Sequence, residues 1–348
     1  MKKQLMTLLV ICLLSTAFVS GDNVLRKDND VYTSGSEAVS IAVSETERIV
    51  VNAAGTLSGQ IKIVTGGDMC TTEYVKRIKT SSEAEAKSYA GLVTVECDRR
   101  NGEVVVSLRA PAGAPWSGTN NSVSLLVTLT VPDNSAISIA TAYFDIEAFG
   151  PFREFNVTES LSQVSVDNVV GSADIKVSNR PLIVRNLVGK LSATNKYGRI
   201  KLHNIKTGEE TATILNDNGD IQMDGFIGEL EVSTSYSEII AERLTLTGSR
   251  NRIKNVSAPI TLMFDSLTDG RLRVNNHYGP IHVECKGEVD AAFICKIGEE
   301  STINAEGFEM EPTLVYDDRL EFDVGTAKAE VRLTARGDGN IIILGPNR

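Results

Sequence analysis

The chain has 348 residues, with 35 Lys+Arg against 45 Asp+Glu, a formal net charge of −10 and 42% hydrophobic residues. That composition excludes a disordered tail and a collagen-like fibre, and the length accommodates about two domains. The acidic balance argues against nucleic-acid binding, which needs basic patches to displace counterions, and aromatics at 5% leave the core to aliphatic side chains.

Residues 1–21 read as a secretory signal peptide. Lys2 and Lys3 precede an apolar run from Leu5 to Val19, and Ser20 and Gly21 stand before the polar Asp22. The run is short for a membrane span. Cleavage would leave an exported chain with no span and a charge of 33 − 45 = −12, in the periplasm, outside the cell or on its surface. Residues 22–37 read as a flexible polar segment. Four cysteines remain: Cys70, Cys97, Cys285 and Cys295. An even count in an oxidising compartment predicts disulfides, Cys70–Cys97 and Cys285–Cys295. Free buried thiols and zinc are the alternatives, and the spacing fits no zinc motif.

Residues 38–131 read as a β-rich N-terminal cap domain. β-branched runs at Val39–Val43, Ile49–Asn52 and Gln60–Val64 are cut by glycines. Ser82-Glu83-Ala84-Glu85 is a capping box that opens a short helix. Strands at Leu92–Cys97, Val104–Leu108 and Val123–Val131 follow, with Trp116 in the Gly/Pro-rich loop before the last, as a flap over the end of the domain. One helix cannot cover so many strands, so a small β-sandwich-like fold is expected.

Residues 132–348 repeat. An aliphatic column reads Ile146, Val164, Leu182, Ile200, Ile221, Ile239, Ile260, Ile281, Ile303, Leu320 and Ile341, in steps of 17 to 22. The residue two places later is apolar at every step, where 42% apolar content would supply about five of eleven by chance. A single coil cannot bury its apolar face, whereas stacked coils bury a continuous column. The expectation is all-β: a right-handed parallel β-solenoid with coils of about 20 residues, after the cap. An antiparallel sandwich is the alternative. The open ends need guarding, by the N-terminal domain at one end and by Glu321, Asp323, Glu330 and Asp338 at the other.

The whole chain after the signal peptide resembles the bacterial putative-adhesin domain family of exported β-solenoid proteins. The likeness rests on the signal peptide, Glu73-Tyr74-Val75-Lys76-Arg77 before the short helix, Leu129-Thr130-Val131-Pro132, and the turn Asn218-Gly219-Asp220-Ile221. It implies a scaffold and carries no catalytic residues.

Two columns are candidates for specific roles. Tyr143, Tyr197, Tyr236 and Tyr278 each stand three residues before an anchor and would line one edge, where phenol rings can stack on sugar faces; the alternative is that each ring folds over its own turn. Asn168, Asn186 and Asn204 stand four residues after an anchor, where a bend needs left-handed backbone, and would form a structural ladder. Asp167, Arg185, His203, Asp224 and Glu242 form a charged outward column. Asp265 with Asp269, and Asp317 with Asp318 and Arg319, are the sole candidates for calcium-assisted polysaccharide cleavage, and no further carboxylate is placed beside them. The reading is therefore a non-enzymatic binding or adhesion scaffold at the cell envelope, with no cofactor and no metal, whose partner is an envelope protein or a glycan rather than a nucleic acid. A periplasmic partner in envelope sensing or assembly is the first alternative, and a polysaccharide lyase or hydrolase the second.

Overall fold

The computed structural model describes residues 25–310 and 312–347. The signal peptide expected over residues 1–21 lies outside them. Among the described residues the chain forms 26 strands and one short helix, α1 (Glu83–Gly91). The Ser82 hydroxyl caps α1 by accepting from the Glu85 amide at 3.1 Å. No helix there is long and apolar enough to cross a membrane.

The second half begins with β10 (Ser135–Ala140), preceded by nine strands described below. β11 (Phe144–Ser160), β12 (Val164–Val177), β13 (Leu182–Asn195), β14 (Ile200–Asn216) and β15 (Ile221–Ser233) are long, and each crosses two ladders. Shorter strands take over in pairs: β16 (Ile239–Leu246) with β17 (Asn251–Asn255), β18 (Ile260–Phe264) with β19 (Arg271–Asn276), and β20 (Ile281–Cys285) with β21 (Ala291–Lys296). Every neighbouring pair from β11 to β20 is parallel. In the first ladder Ile146, Val164, Leu182, Ile200, Ile221, Ile239, Ile260 and Ile281 stand directly opposite one another. All eight are fully buried. The second ladder carries Ile175, Ala193, Ile214, Val232, Ile253 and Val274 in the same way. Both columns enter one core cluster.

The chain turns between ladders at a repeated corner. Asn168, Asn186 and Asn204 have φ of 65°, 53° and 55° there, followed by Gly225 at 77° and Arg243 at 53°. Asparagine and glycine tolerate this left-handed backbone best. Arg243 is the exception, and its Nε lies 2.5 Å from Asp224 Oδ1.

The N-terminal region corrects two expectations. Its strands are β1 (Arg26–Asp28), β2 (Val31–Thr33), β3 (Glu37–Ala42), β4 (Arg48–Ala53), β5 (Ser58–Thr65), β6 (Met69–Lys79), β7 (Thr94–Arg100), β8 (Glu103–Arg109) and β9 (Ser122–Val131). The segment expected to be flexible over residues 22–37 contributes strands at Arg26–Asp28 and Val31–Thr33, with β1 antiparallel to β2 and β2 antiparallel to β6. Nor do residues 38–131 form a sandwich apart from the stack. β4 and β5 pair in parallel with β10 and β11, and β8 and β9 pair in parallel with β4 and β5. The first ladder thus reads Val127, Ile61, Ile146 and onward. Antiparallel β6 and β7 finish that end. Trp116 is buried, and its indole N–H donates to the Thr56 carbonyl at 2.9 Å.

The C-terminal order also departs from the sequence column. The remaining strands are β22 (Ile303–Glu306), β23 (Pro312–Tyr316), β24 (Arg319–Val324), β25 (Ala329–Ala335) and β26 (Ile341–Leu344). β25 inserts between β19 and β21, and β26 between β20 and β22. Ile341 therefore lies between Ile281 and Ile303, and Leu320 leaves the column to oppose Cys295 on antiparallel β24. Phe293 and Phe322 stack at 4.8 Å against Phe308, filling the core at this end. Of the residues expected to guard it, Glu321 and Asp323 lie on β24, which is paired on both sides with β21 and β23, and Glu330 is on β25 between β19 and β21.

The expected disulfides are absent: Cys70, Cys97, Cys285 and Cys295 are free thiols. Inward positions of the ladders accept a thiol as a small apolar group, so an even cysteine count here reflects packing. Burial pushes the Cys285 and Cys295 thiols up to about 12. A hydrogen bond between Cys70 and Cys97 raises the first and lowers the second. Alkylation of the native chain at pH ~8, just below the free-thiol value, should modify Cys97 first and reach Cys285 and Cys295 only after denaturant is added. Peptide mass spectrometry reads the order, and equal labelling of all four would contradict this packing.

Two carboxylates near the ends of the stack give an acid limit. A hydrogen bond from Arg99 and another from the Ser44 amide hold Glu47 at about 2. Burial works against ionisation of Asp290, but bonds from Lys328 and Thr326 outweigh it and hold that group at about 2 as well. Both folded values lie below the unfolded ones of ~4. Their stabilisation is therefore complete above pH ~5 and is lost as pH falls through ~4 towards 2. Urea midpoints measured across this range should be level above pH ~5 and fall below it; a midpoint unchanged down to pH ~2.5 would contradict the assignment.

Candidate functional site

One turn recurs between the second ladder and the first, and a buried asparagine fixes it. Asn195, Asn216, Asn255 and Asn276 are 1–4% exposed. Each Nδ2 donates to a turn carbonyl: Asn195 to Arg180, Asn216 to Gly198 and Gly219, Asn255 to Ser237 and Ala258, and Asn276 to Ala258 and Pro280. Most of these acceptors lie on the neighbouring coil, so the amides join turn to turn. The turns also press backbone on backbone. A Cβ at Gly198 would lie 2.0 Å from the Arg180 carbonyl oxygen, and one at Gly219 2.0 Å from that of Gly198.

Two residues after each asparagine position the chain points outward. The outward series follows the ladder register as Tyr143, Leu161, Asn179, Tyr197, Asn218, Tyr236, Ser257 and Tyr278. The four tyrosines are 48%, 60%, 66% and 55% exposed, and the Tyr278 ring meets His277 of its own turn edge-on at 4.2 Å. Their hydroxyls bond no other described residue. Tyr197, Tyr236 and Tyr278 fall on alternate coils, which puts them ~10 Å apart at twice the strand spacing.

Tyr197 also borders a groove of about 410 Å³ on the outer side of the first ladder. Pro181 and Ile183 give it an apolar floor, and Arg199, Lys201 and Asp220 supply polar groups. Arg199 Nη2 lies 3.1 Å from Asp220 Oδ2, which orients both side chains at the groove. An aromatic ring, a small apolar floor and paired hydrogen-bonding groups form the equipment for a polyhydroxylated ring with one apolar face.

The other sequence candidates are placed as follows. At the corner, Asn204 Nδ2 donates to Asn186 Oδ1 at 3.2 Å and Asn186 Nδ2 to Asp167 Oδ1 at 2.8 Å. Asp167 and Arg185 oppose each other, but Arg185 bonds Ser165 Oγ. His203 Nδ1 lies 3.7 Å from Asp224, whose carboxyl is held low first by the Arg243 hydrogen bond. No group of three or more His, Cys, Asp or Glu side chains among the described residues is placed to hold a metal.

The sequence reading missed Asn195, Asn216, Asn255 and Asn276. A search for apolar columns passes over them, since they are polar residues at inward positions. Their signal was the place two residues before the tyrosine register.

No protein-family model matches the chain, and no curated protein does. Among solved structures it resembles a putative adhesin from Parabacteroides merdae, at 14% identity over 73% of this chain and 92% of that one, with a TM-score of 0.38. It also resembles a putative adhesin from Bacteroides fragilis (13% identity, 89% and 97% coverage, TM-score 0.30) and a putative cell adhesion protein from Clostridium sporogenes (10% identity, 89% and 100% coverage, TM-score 0.22).

If the asparagines hold the turns, Asn216→Ala leaves the Gly198 and Gly219 carbonyls without that donor. The loss should be about 1–3 kcal/mol of unfolding free energy, read from urea titrations. Asn218→Ala, at the exposed position two residues on, should change it by less than ~0.5 kcal/mol.

Proposed function

We propose that the chain is an exported, non-enzymatic adhesion or binding scaffold of the cell envelope, wound as a right-handed solenoid, which holds a glycan along its tyrosine edge. The observation that carries this reading is the line of four exposed rings, three of which (Tyr197, Tyr236 and Tyr278) stand on turns whose carbonyls are bonded by buried asparagines. Holding large exposed rings in a fixed line brings the fold no burial. It does prepare a surface whose side chains lose little freedom on binding, because Tyr has only two rotatable side-chain angles. Successive sugars of an extended β-1,4-linked chain advance by about one strand spacing, ~5 Å. Alternate sugars would therefore meet Tyr197, Tyr236 and Tyr278 in turn, with the groove beside Tyr197 taking one ring more deeply.

The test is a glycan array probed with the full chain, followed by titration of the best hit against Tyr197→Ala and Tyr236→Ala. Each substitution should weaken binding about tenfold or more, the ~1–2 kcal/mol carried by an aromatic contact, and leave thermal unfolding unchanged. An array with no retained glycan, or unaltered affinity in both variants, would sink the reading. Release of unsaturated sugars in calcium would replace the scaffold with an enzyme.

A further inference from the structure

The second ladder carries a charged surface that has no part in the tyrosine edge. Its outward positions on β17, β19 and β25 put Arg252 opposite Arg273 and Arg273 opposite Arg332. All three side chains are exposed. Arg271 stands two residues from Arg273 on the same outward side, and Lys254 two from Arg252. Like charges directly across a ladder repel, and such pairs are avoided where nothing is gained from them. Here the repulsion is only partly relieved. Arg332 is bound to Glu330 at 2.8 Å, Glu330 also stands opposite Arg271, and Glu231 on β15 stands opposite Arg252, whereas Arg252 and Arg273 make no ion pair or side-chain hydrogen bond among the described residues. Glu330 also feels Arg271 and Arg273, which help hold its carboxyl low after the larger effect of the Arg332 hydrogen bond. All this occurs on a chain whose net charge is −10.

We infer that the outer face of β17, β19 and β25 binds a linear anionic polysaccharide, with Arg252, Arg273 and Arg332 meeting successive charged groups. The column repeats at the strand spacing of ~4.8 Å, close to the advance of one sugar in an extended polymer bearing one charge per residue. The planar guanidinium fork suits the acid groups such polymers carry, carboxylate and sulfate. A single-stranded nucleic acid is a poorer match. Its binding surfaces interleave basic groups with aromatic platforms, and no aromatic side chain occupies an outward position on these three strands.

The experiment uses the full chain and four probes: polygalacturonate for carboxylates, heparin for sulfates, dextran as a neutral polymer, and an oligothymidylate. At low salt at least one of the two acidic polysaccharides should bind and dextran should not, with affinity falling as salt rises. The polymer that binds assigns carboxylate or sulfate. The double variant Arg252→Ala/Arg273→Ala should weaken binding tenfold or more and lower the slope of log affinity against log salt by about two. Arg77→Ala/Arg153→Ala makes the same charge change at exposed sites elsewhere and should alter affinity less than twofold. The inference is overturned if neither acidic polysaccharide binds. It is equally overturned if both double variants bind alike, or if the oligonucleotide binds more tightly than either glycan.

Discussion

The structure depends on one constraint: parallel, in-register hydrogen bonding between successive turns of the chain. Once Leu182 opposes Val164 and Ile200 opposes Leu182, the residues of each ladder are matched to counterparts one coil away, with the register shifting at bulges between ladders. A side chain is then never placed alone. An inward position must be apolar, or self-satisfying, on coil after coil. An outward position becomes a column whose chemistry is repeated or contrasted at each ~4.8 Å step. The aliphatic core, the buried asparagines, the tyrosine edge and the arginine face are four columns of the same lattice.

The constraint leaves the ends of the lattice unpaired, and the chain closes both by folding back. At the N-terminal end the β4–β5 coil is threaded between β8–β9 and β10–β11, and antiparallel β6 and β7 pair with β9 and β8. At the C-terminal end β25 and β26 push inside the last coil, and β24 covers β21. Each arrangement replaces a long parallel edge with short or antiparallel strands, which blunts edge-to-edge association. Phe293, Phe308 and Phe322 meet ring to ring in the core at the C-terminal end.

These two behaviours mark what could be read from the sequence. From Ile146 to Ile281 each coil pairs with the one that follows it, so spacing alone finds the partners. The capping box at Ser82 is local in the same sense. Ile303, Leu320 and Ile341 kept the period but not the order, because which strand occupies a free edge is decided by competition among non-local pairings. The N-terminal strands read as a separate sandwich for the same reason: Ile61 and Ile146 oppose each other across 85 residues, with no repeat to announce it (146 − 61 = 85). The cysteines failed differently. Their number invited pairing, but Cys70, Cys285 and Cys295 serve as small buried side chains, and Cys97 is half-buried beside Cys70. Tyr143, Tyr197, Tyr236 and Tyr278 were legible as a register, while the support of the last three turns was hidden in asparagines that hydropathy counts as misplaced.

Those asparagines show how the lattice turns a cost into a fixture. A buried amide with one bond unmade is destabilising, and in a single turn it would be replaceable by an apolar residue. Stacked, the Nδ2 group of an amide such as Asn216 reaches a carbonyl of its own turn and one of the coil before it, and Asn255 and Asn276 repeat the arrangement, while Oδ1 of Asn216 and of Asn276 bonds no other described residue. Spacing between turns is thereby set by hydrogen bonds as well as by the ladders. The same arrangement explains why the exposed rings stand at turns rather than on the flat faces. On a face, each outward side chain is crowded by its ladder neighbours one step away, as the arginine column is. At the turns, the residues between Tyr197, Tyr236 and Tyr278 are the small or polar Asn218 and Ser257, so these rings stand at double spacing, with the far side of Tyr278 closed by Gly337.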